Sequence, residues 1–370
     1  MKKIECTNCV LDSNIPNIKF NEFGECSFCI DANEKIKNYK FSKEQETYNL
    51  NLLKQRIMQE KQGEYDSIIG LSGGVDSSYV AFLAMELGLN PLCVHFDNGW
   101  NSDIAVKNIR NIIEITNFDL QTYVVNWEEF KDLQRSFFKA GVVDIELLTD
   151  HAIYAALFKI RRNNKIKTVL SGTNYSTEHG MPESWTWSKM DLTNIKSIHK
   201  EYGTMSIKSF PTMSSNRWRL IKRFGLGGTF EEPLNLINYS KTDAMKTLKN
   251  VFDWKYYGGK HFESVFTKFY QAYVLPKKFK IDKRKVHLSD LIRNGEIDRE
   301  SAKKQLEKPL YDSEELIRDM DFVLKKLGFE KDEFEELMQE PPKKHDFYKN
   351  DFNANNYMVK FGKFIFGSKS

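Results

Sequence analysis

The stretch from Asp66 to Ser78 constrains this chain more than any other. An apolar run, Ile68–Leu71, ends in Ser72-Gly73-Gly74-Val75-Asp76-Ser77, and a helix-like pattern starts at once. Two glycines let the backbone turn tightly and bare its N–H groups. Ser72, Ser77 and Ser78 add hydroxyls, and the positive end of the following helix points at the same spot. Such a bend cradles phosphate if a strand precedes it and a helix follows; without them it is a plain Gly-Ser turn. No Gly-Lys-Ser/Thr follows, so it is not a Walker loop.

The 370 residues suit one large domain or, better, a core with appendages. A hydrophobic content of 41% is enough for a packed core, and a net charge of +4 does not by itself indicate a nucleic-acid partner. The start, Met1-Lys2-Lys3-Ile4-Glu5-Cys6, has no apolar segment of the signal-peptide kind. No apolar run reaches the roughly 18 residues of a membrane span. The expectation is a cytoplasmic protein with reduced thiols and no membrane partner.

Cys6, Cys9, Cys26 and Cys29 have the C-x2-C…C-x2-C spacing of a zinc ribbon. Two disulfides or unrelated thiols are the alternatives. Four thiolates leave no open position for water, so the expected Zn²⁺ is structural. Cys93 lies in a strand-like run and reads as a small buried apolar residue.

Four regions follow: residues 1–40 as the zinc knuckle, 41–62 as a helical linker, 63–237 as the nucleotide-binding domain, and 238–370 as a mostly helical substrate or partner region. From Asp66 the pattern becomes strand, helix, strand, helix: strands over 67–71, 91–96, 121–125 and 167–170, helices over 77–87, 103–117 and 151–162. This alternation implies an α/β fold, a parallel sheet with flanking helices. Ligands then bind at the carboxyl ends of the strands. The Ser72 loop, Phe96-Asp97-Asn98 and Ser171-Gly172-Thr173-Asn174 all fall there. Trp185, Trp187, Arg217, Trp218, Arg219, Lys222 and Arg223 mix aromatic and basic groups, as in a nucleotide or nucleic-acid surface, an irregular lid, or a partner surface. Two amphipathic helices are expected over 313–327 and 331–338.

The Ser72–Ser77 segment resembles the PP-loop, Ser-Gly-Gly-x-Asp-Ser, of the ATP pyrophosphatase superfamily, with its adenine nucleotide alpha hydrolase-like fold. Further segments narrow the likeness. Gly172-Thr173-Asn174-Tyr175-Ser176-Thr177-Glu178, Thr149-Asp150-His151 and Trp254-Lys255-Tyr256-Tyr257-Gly258-Gly259-Lys260-His261-Phe262-Glu263-Ser264 resemble motifs of the N-acetyl sugar amidotransferase family. Phe266-Thr267, Tyr270–Tyr273 and Ile281–Arg284 continue the match. Val265 stands where that family tends to carry arginine, and Lys268 where arginine is common. The resemblance implies ATP-dependent conversion of an acetamido to an acetamidino group on a bacterial surface sugar. Those sugars occur in lipopolysaccharide O-antigen or nonulosonic acids such as pseudaminic acid, often in nucleotide-linked form. AMP and pyrophosphate are released.

On that reading Ser72, Gly73, Gly74, Asp76, Ser77, Phe96, Asp97, Gly172 and Thr173 bind ATP, and Asp76 also holds Mg²⁺. Asp97 has the alternative role of a turn former before Asn98-Gly99. Asp150, His151, Asn174 and Tyr257 contact substrate, although Asp150 before a helix could be only a cap. Asp76, Lys260, His261, Glu263 and Glu178 are the catalytic candidates: Lys260 to neutralise phosphate, His261 and Glu263 to take the proton lost by ammonia, Glu178 to orient it. Their alternatives are a solvated lysine, a structural histidine and an exposed loop carboxylate.

A glutaminase with an N-terminal nucleophile needs cysteine after Met1, where this chain has Lys2. A triad glutaminase needs another cysteine in a separate domain. Ammonia is therefore expected from a partner glutaminase, through a barrel-like channelling subunit as the resemblance suggests. A homodimer through the carboxyl-terminal part is also expected, and nucleic acid is not. A PP-loop tRNA-modifying enzyme, of the thiolase or lysidine-synthetase type, is the alternative. A thiolase would need a reactive cysteine by the loop, where only Cys93 is available. A nucleotide-binding scaffold without catalysis is the third possibility.

Overall fold

The computed structural model describes residues 4–224 and 227–352, apart from the Lys222 side chain. After the cysteine knuckle come helices α1 (Ser27–Ile36) and α2 (Lys43–Glu60). Ser42 opens α2 with a capping box shared with Gln45. Strand β1 (Ser67–Gly70), helix α3 (Val75–Glu86), strand β2 (Pro91–Asp97), helix α4 (Asp103–Thr116) and strand β3 (Leu120–Val124) follow. The Ser102 hydroxyl caps α4 by accepting from the Ala105 N–H, and Asn117 ends it in the left-handed conformation.

Helix α5 (Trp127–Ala140) had no counterpart in the sequence reading. It buries Phe130, Leu133, Phe137 and Phe138, each side chain stabilising by roughly 1.5–3 kcal/mol. Two buried carboxylates on α5 organise the irregular chain after residue 200. Glu129 accepts the N–H groups of Lys208, Ser209 and Phe210, and Asp132 those of Thr204 and Met205. Each ionised carboxylate satisfies several backbone donors, which offsets its desolvation.

Then come α6 (Leu147–Asn163), β4 (Thr168–Leu170), the short α7 (Tyr175–Glu178), α8 (Leu192–Tyr202), α9 (Ser215–Arg223) and β5 (Thr229–Glu231). Helix α6 starts four residues before His151, so Asp150 and His151 lie inside it rather than opening it. Strand β5 also had no counterpart in the sequence reading. The aromatic residues of the 185–223 segment pack inward. Trp185 is buried, Trp187 stacks on His345, and Trp218 lies edge-on to Phe158 and Phe230. These rings are taken up by packing within the fold.

All pairings are parallel, in the order β3-β2-β1-β4-β5. The order reverses between β1 and β4, so a crevice opens at their carboxyl ends, between the Ser72 and Ser171 loops.

Helices α10 (Lys241–Phe252) and α11 (Val265–Phe269) follow, and α11 runs into a π-helical segment, Tyr270–Phe279. Pro276 in that segment lacks an N–H, and such wide turns recur at functional sites. Helices α12 (Arg284–Arg293), α13 (Arg299–Glu307), α14 (Ser313–Leu327) and α15 (Lys331–Gln339) follow, then a 3-10 turn at His345–Phe347; residues 353–370 of the 238–370 region lie outside the described residues. Leu248 and Phe252 of α10 join the core on the α3 side of the sheet. Phe266, Phe269 and Tyr270 join the α5 core, together with Phe334 and the four cysteines. Asn101 pairs with Ser264 in an antiparallel bridge, and the Ser102 N–H donates to the Glu263 carbonyl at 2.8 Å. These bonds tie the 260s segment to the end of β2.

Candidate active site

The Ser72 loop has the strand before it and the helix after it that a phosphate cradle needs. Gly73 has φ +78°, and a Cβ there would lie 2.5 Å from the Ala105 carbonyl oxygen. Only glycine fits both constraints. Trp254 Nε1 and Asn108 Nδ2 donate to the Gly73 carbonyl at 3.0 and 3.3 Å. Ser72 Oγ and Ser77 Oγ are 3.1 Å apart, and the Gly74 N–H donates to Ser72 Oγ. The early N–H groups of α3 have no partner within the helix; that of Val75 goes to the Tyr257 hydroxyl, and those after it face the turn where an anion would sit. The opposite wall is the Ser171 loop, where a Cβ on Gly172 would sit 3.1 Å from Ser77 N. Thr173 lines the same cleft and accepts from Ser171 Oγ. This cleft, of about 220 Å³, brings together Ser72, Gly74, Asp76, Ser77, Gly172, Thr173, Glu178, Tyr257, Lys260, His261 and Glu263.

Asp76 Oδ1 accepts from the Tyr239 hydroxyl at 2.6 Å, and Oδ2 has no hydrogen-bond partner among the described residues. Burial pushes its carboxyl up, against the pull of Lys260. A half-anchored carboxylate at a phosphate cradle fits a Mg²⁺ ligand. Lys260 donates to the Thr177 carbonyl at 2.7 Å and lies 3.3 Å from Glu178 Oε1. Tyr257 OH accepts from the Val75 N–H at 3.2 Å, which makes it part of the loop's support.

His261 has φ +65°, a conformation that bulky side chains rarely adopt. Its Nδ1 is 3.7 Å from Glu263 Oε1. Burial pulls the imidazole down, Glu263 pushes it up, and the balance is upward. Glu263 Oε2 is buried with no hydrogen-bond partner among the described residues. Strain and an unpartnered carboxylate oxygen stand side by side, as they do where a site is built for a ligand.

Ser72, Glu178, His261 and Glu263 also line a second cavity of about 430 Å³. Phe96, Asn98, Asp144, Glu146, Thr149, Asp150, Lys189, Ser264, Thr267, Gln271 and Lys283 are among the other residues of its wall. Lys189 bridges Asp144 at 2.8 Å and Asp150 at 3.0 Å. Glu146 accepts from Gln271 at 3.0 Å and Lys283 at 3.2 Å. Burial works against ionisation of Glu146, yet Lys283 holds it below the usual carboxylate range. Asp144, Glu146, Lys189, Gln271 and Lys283 were missed as site residues. The one local signal was Asp144 and Glu146 interrupting the apolar run from Val142 to Leu148.

Three expected contacts are corrected. His151 is fully buried; its Nε2 accepts from the Met213 N–H at 3.1 Å, so Nδ1 donates to the Lys189 carbonyl at 2.8 Å. It supports Lys189 and does not face a substrate. Asn174 is buried and caps α7, accepting from Thr177 N–H and donating to the Gly172 carbonyl. Asp97 accepts from the Gly99 N–H at 2.8 Å and Asn101 Nδ2 at 3.1 Å, and lines neither cavity, so it acts as the turn former. Lys268 pairs with Glu315 and Asp319 of α14 rather than with either cavity.

Cys6, Cys9, Cys26 and Cys29 are buried, and their sulfurs lie within 4.8 Å of one another. Sγ separations of 3.9 Å (Cys6–Cys29) and 3.7 Å (Cys9–Cys26) suit a tetrahedron whose edge is about 3.8 Å for Zn–S near 2.3 Å. Backbone N–H groups of Asn8 and Leu11 point at Cys6 Sγ and Cys9 Sγ. The donor set fits structural zinc. Cys93 is fully buried and burial pushes its thiol up to about 12, an inert setting. Among the described residues no helix is long and apolar enough to cross a membrane.

No curated protein matches the chain. Three solved structures are similar over part of it. NMN synthetase from Francisella tularensis shares 16% identity over 57% of this chain and 87% of its own, at a TM-score of 0.31. NH3-dependent NAD synthetase from Campylobacter jejuni subsp. jejuni NCTC 11168, in complex with nitrate, shares 16% over 57% and 93%, also at 0.31. A 4-thiouridine synthetase–RNA complex with bound ATP shares 15% over 51% and 41%, again at 0.31. Likenesses of this size carry no functional argument. Residues 263–362, the stretch that begins at Glu263 and holds Gln271 and Lys283, match the family described as LPS biosynthesis protein WbpG-like, C-terminal domain.

Proposed function

We propose that the protein uses ATP to convert an N-acetyl group of a sugar into an acetamidino group, releasing AMP and pyrophosphate. The observation that carries this reading is one wall shared by two cavities. Ser72, Glu178, His261 and Glu263 border both the phosphate cradle and the 430 Å³ polar cavity, so a group in the cavity can meet the α-phosphate of ATP in the cradle. Alternating carboxylates, lysines and amides around that cavity suit sugar hydroxyls. The match to an LPS biosynthesis family supports a surface sugar as substrate.

The acetamido oxygen attacks the α-phosphorus, and pyrophosphate departs as the new P–O bond forms. Ammonia then adds to the activated carbon, and AMP leaves carrying the original acetyl oxygen. The loop N–H groups, Ser72, Ser77 and Lys260 stabilise charge on the phosphates. Asp76 would hold Mg²⁺, which supplies further charge neutralisation there. His261, held by Glu263, takes the proton that nitrogen loses. Ammonia comes from a glutaminase partner through a channelling subunit.

The test is an acetamido sugar labelled with ¹⁸O in its carbonyl, incubated with ATP, Mg²⁺ and ammonium. Label is expected in AMP, with a sugar lighter by about one dalton than the unlabelled substrate as O gives way to NH. Formation of ADP, or label retained in the sugar product, overturns the reaction. Product from glutamine alone with the pure protein overturns the need for a partner.

A further inference from the structure

A third cavity, of about 440 Å³, lies behind Lys260, between the 256–262 segment and helices α12 and α13. It shares Lys241 and Lys260 with the phosphate cleft, and Gln271 and Lys283 with the larger polar cavity. Five cations line it: Lys241, Lys260, Lys283, Arg284 and Lys308. The only carboxylate in its wall, Asp282, is held by Arg284 at 2.8 Å. Lys260 and Lys283 pair with carboxylates of the neighbouring cavities. Lys241 and Lys308 have no carboxylate within ion-pairing distance among the described residues, and Lys241 is only placed over the Tyr256 ring at 5.7 Å. A cationic concavity concentrates anions.

His287, from α12, supplies an independent observation. Both of its ring nitrogens are buried, and neither has a hydrogen-bond partner among the described residues. Its ring lies 6.3 Å from that of His261. Burial, then the charges of Lys260, His261, Lys283 and Lys241, keeps it neutral, so it offers one N–H donor and one acceptor. Leaving such groups unsatisfied costs their full desolvation and calls for a ligand or water.

We propose that this cavity is a diphosphate site, bound by Lys241, Lys308 and the His287 ring beside Lys260 and Lys283. The proposal rests on the amidination reading for its two sources. One is the diphosphate linking a sugar to its nucleotide carrier, reached from the polar cavity past Lys283. The other is the pyrophosphate released from ATP, reached from the cradle past Lys260.

Titration calorimetry on the full-length protein, saturated with Mg²⁺ and the non-cleavable α,β-methylene analogue of ATP, tests it. Inorganic pyrophosphate and UDP are the probes. One further equivalent of a diphosphate per chain is expected. Lys308→Gln and His287→Leu should each weaken it at least tenfold and leave affinity for the ATP analogue within twofold. UDP binding that pyrophosphate displaces assigns the site to the carrier; binding of pyrophosphate but not UDP assigns it to the leaving group. No further equivalent with either probe, or binding that both variants leave unchanged, overturns the proposal. Should His287→Leu fail to fold, the exposed Lys308 still decides the matter. AMP formation without a second diphosphate equivalent removes this site and leaves the reaction standing. Diphosphate binding without AMP formation does the reverse.

Discussion

Arg293 Nε donates to Cys29 Sγ at 3.4 Å, and the same guanidinium donates to the carbonyl of His179, one residue beyond Glu178, at 3.3 Å. The cysteine cluster is thereby fastened to the loop that carries a candidate catalytic carboxylate. Arg293 also pairs with Asp290 at 2.7 Å, with both side chains almost wholly buried. Arg293→Met leaves the buried Asp290 carboxyl without its partner, so it should destabilise by about 3–5 kcal/mol. The double variant Arg293→Met/Asp290→Asn should recover much of that loss. Denaturant unfolding of both variants measures it, and equal losses would contradict the pairing.

Zinc removal should act through folding. Zinc bound to such a thiolate set contributes about 10–16 kcal/mol in isolated fingers, and the cysteines here belong to the core shared with α5 and α11. Cys26→Ser should lower bound zinc and soluble yield together. Metal content per chain, with melting temperature, is the check.

Asp76→Asn should abolish turnover by about 10²–10³-fold or more while barely changing stability. The Tyr239 hydroxyl can still donate to the amide oxygen, and a neutral group relieves the desolvation that pushes this carboxyl up. AMP formation and thermal unfolding, run side by side, separate the two effects. A large drop in melting temperature would make Asp76 a structural residue.

His261 separates strain from chemistry. Asparagine tolerates positive φ better than histidine, so His261→Asn should keep or slightly raise stability, by up to about 1 kcal/mol. Turnover should fall by about 10²-fold if the imidazole moves the proton. Unchanged turnover would show that it does not.

Acid stability should depend on His345, far along the chain from the cysteines. Its ring is buried under Trp187, and its nitrogens meet the Asp144 N–H at 3.3 Å and Asn194 Oδ1 at 2.8 Å. Burial, against the charge of Asp144, lowers it to about 4. The unfolded chain therefore binds this proton first. Stability from this group is complete above about pH 6.5 and is lost as pH falls from there towards 4, by about 3 kcal/mol. His345→Gln should flatten the unfolding profile across that window. An unchanged slope would refute the assignment.

The glycine–serine loop between strand and helix, the cysteine knuckle and most of the strand–helix alternation were legible in the chain itself. Their physics is local. The positive φ of Gly73 belongs to a turn within a few residues, and each cysteine pair, with two residues between its members, aims both sulfurs at one point. Which polar groups share a cavity was decided only by tertiary structure. Glu146 meets Gln271 and Lys283 across 125 and 137 residues of sequence. His151, at an expected helix start, and Asn174, at an expected strand end, both looked like substrate contacts, yet packing turned both inward to satisfy backbone groups. A side chain's type sets what it can bond. Burial and the partners that long-range packing brings decide whether that capacity is spent on the fold or left for a ligand, as at Glu263 and His287.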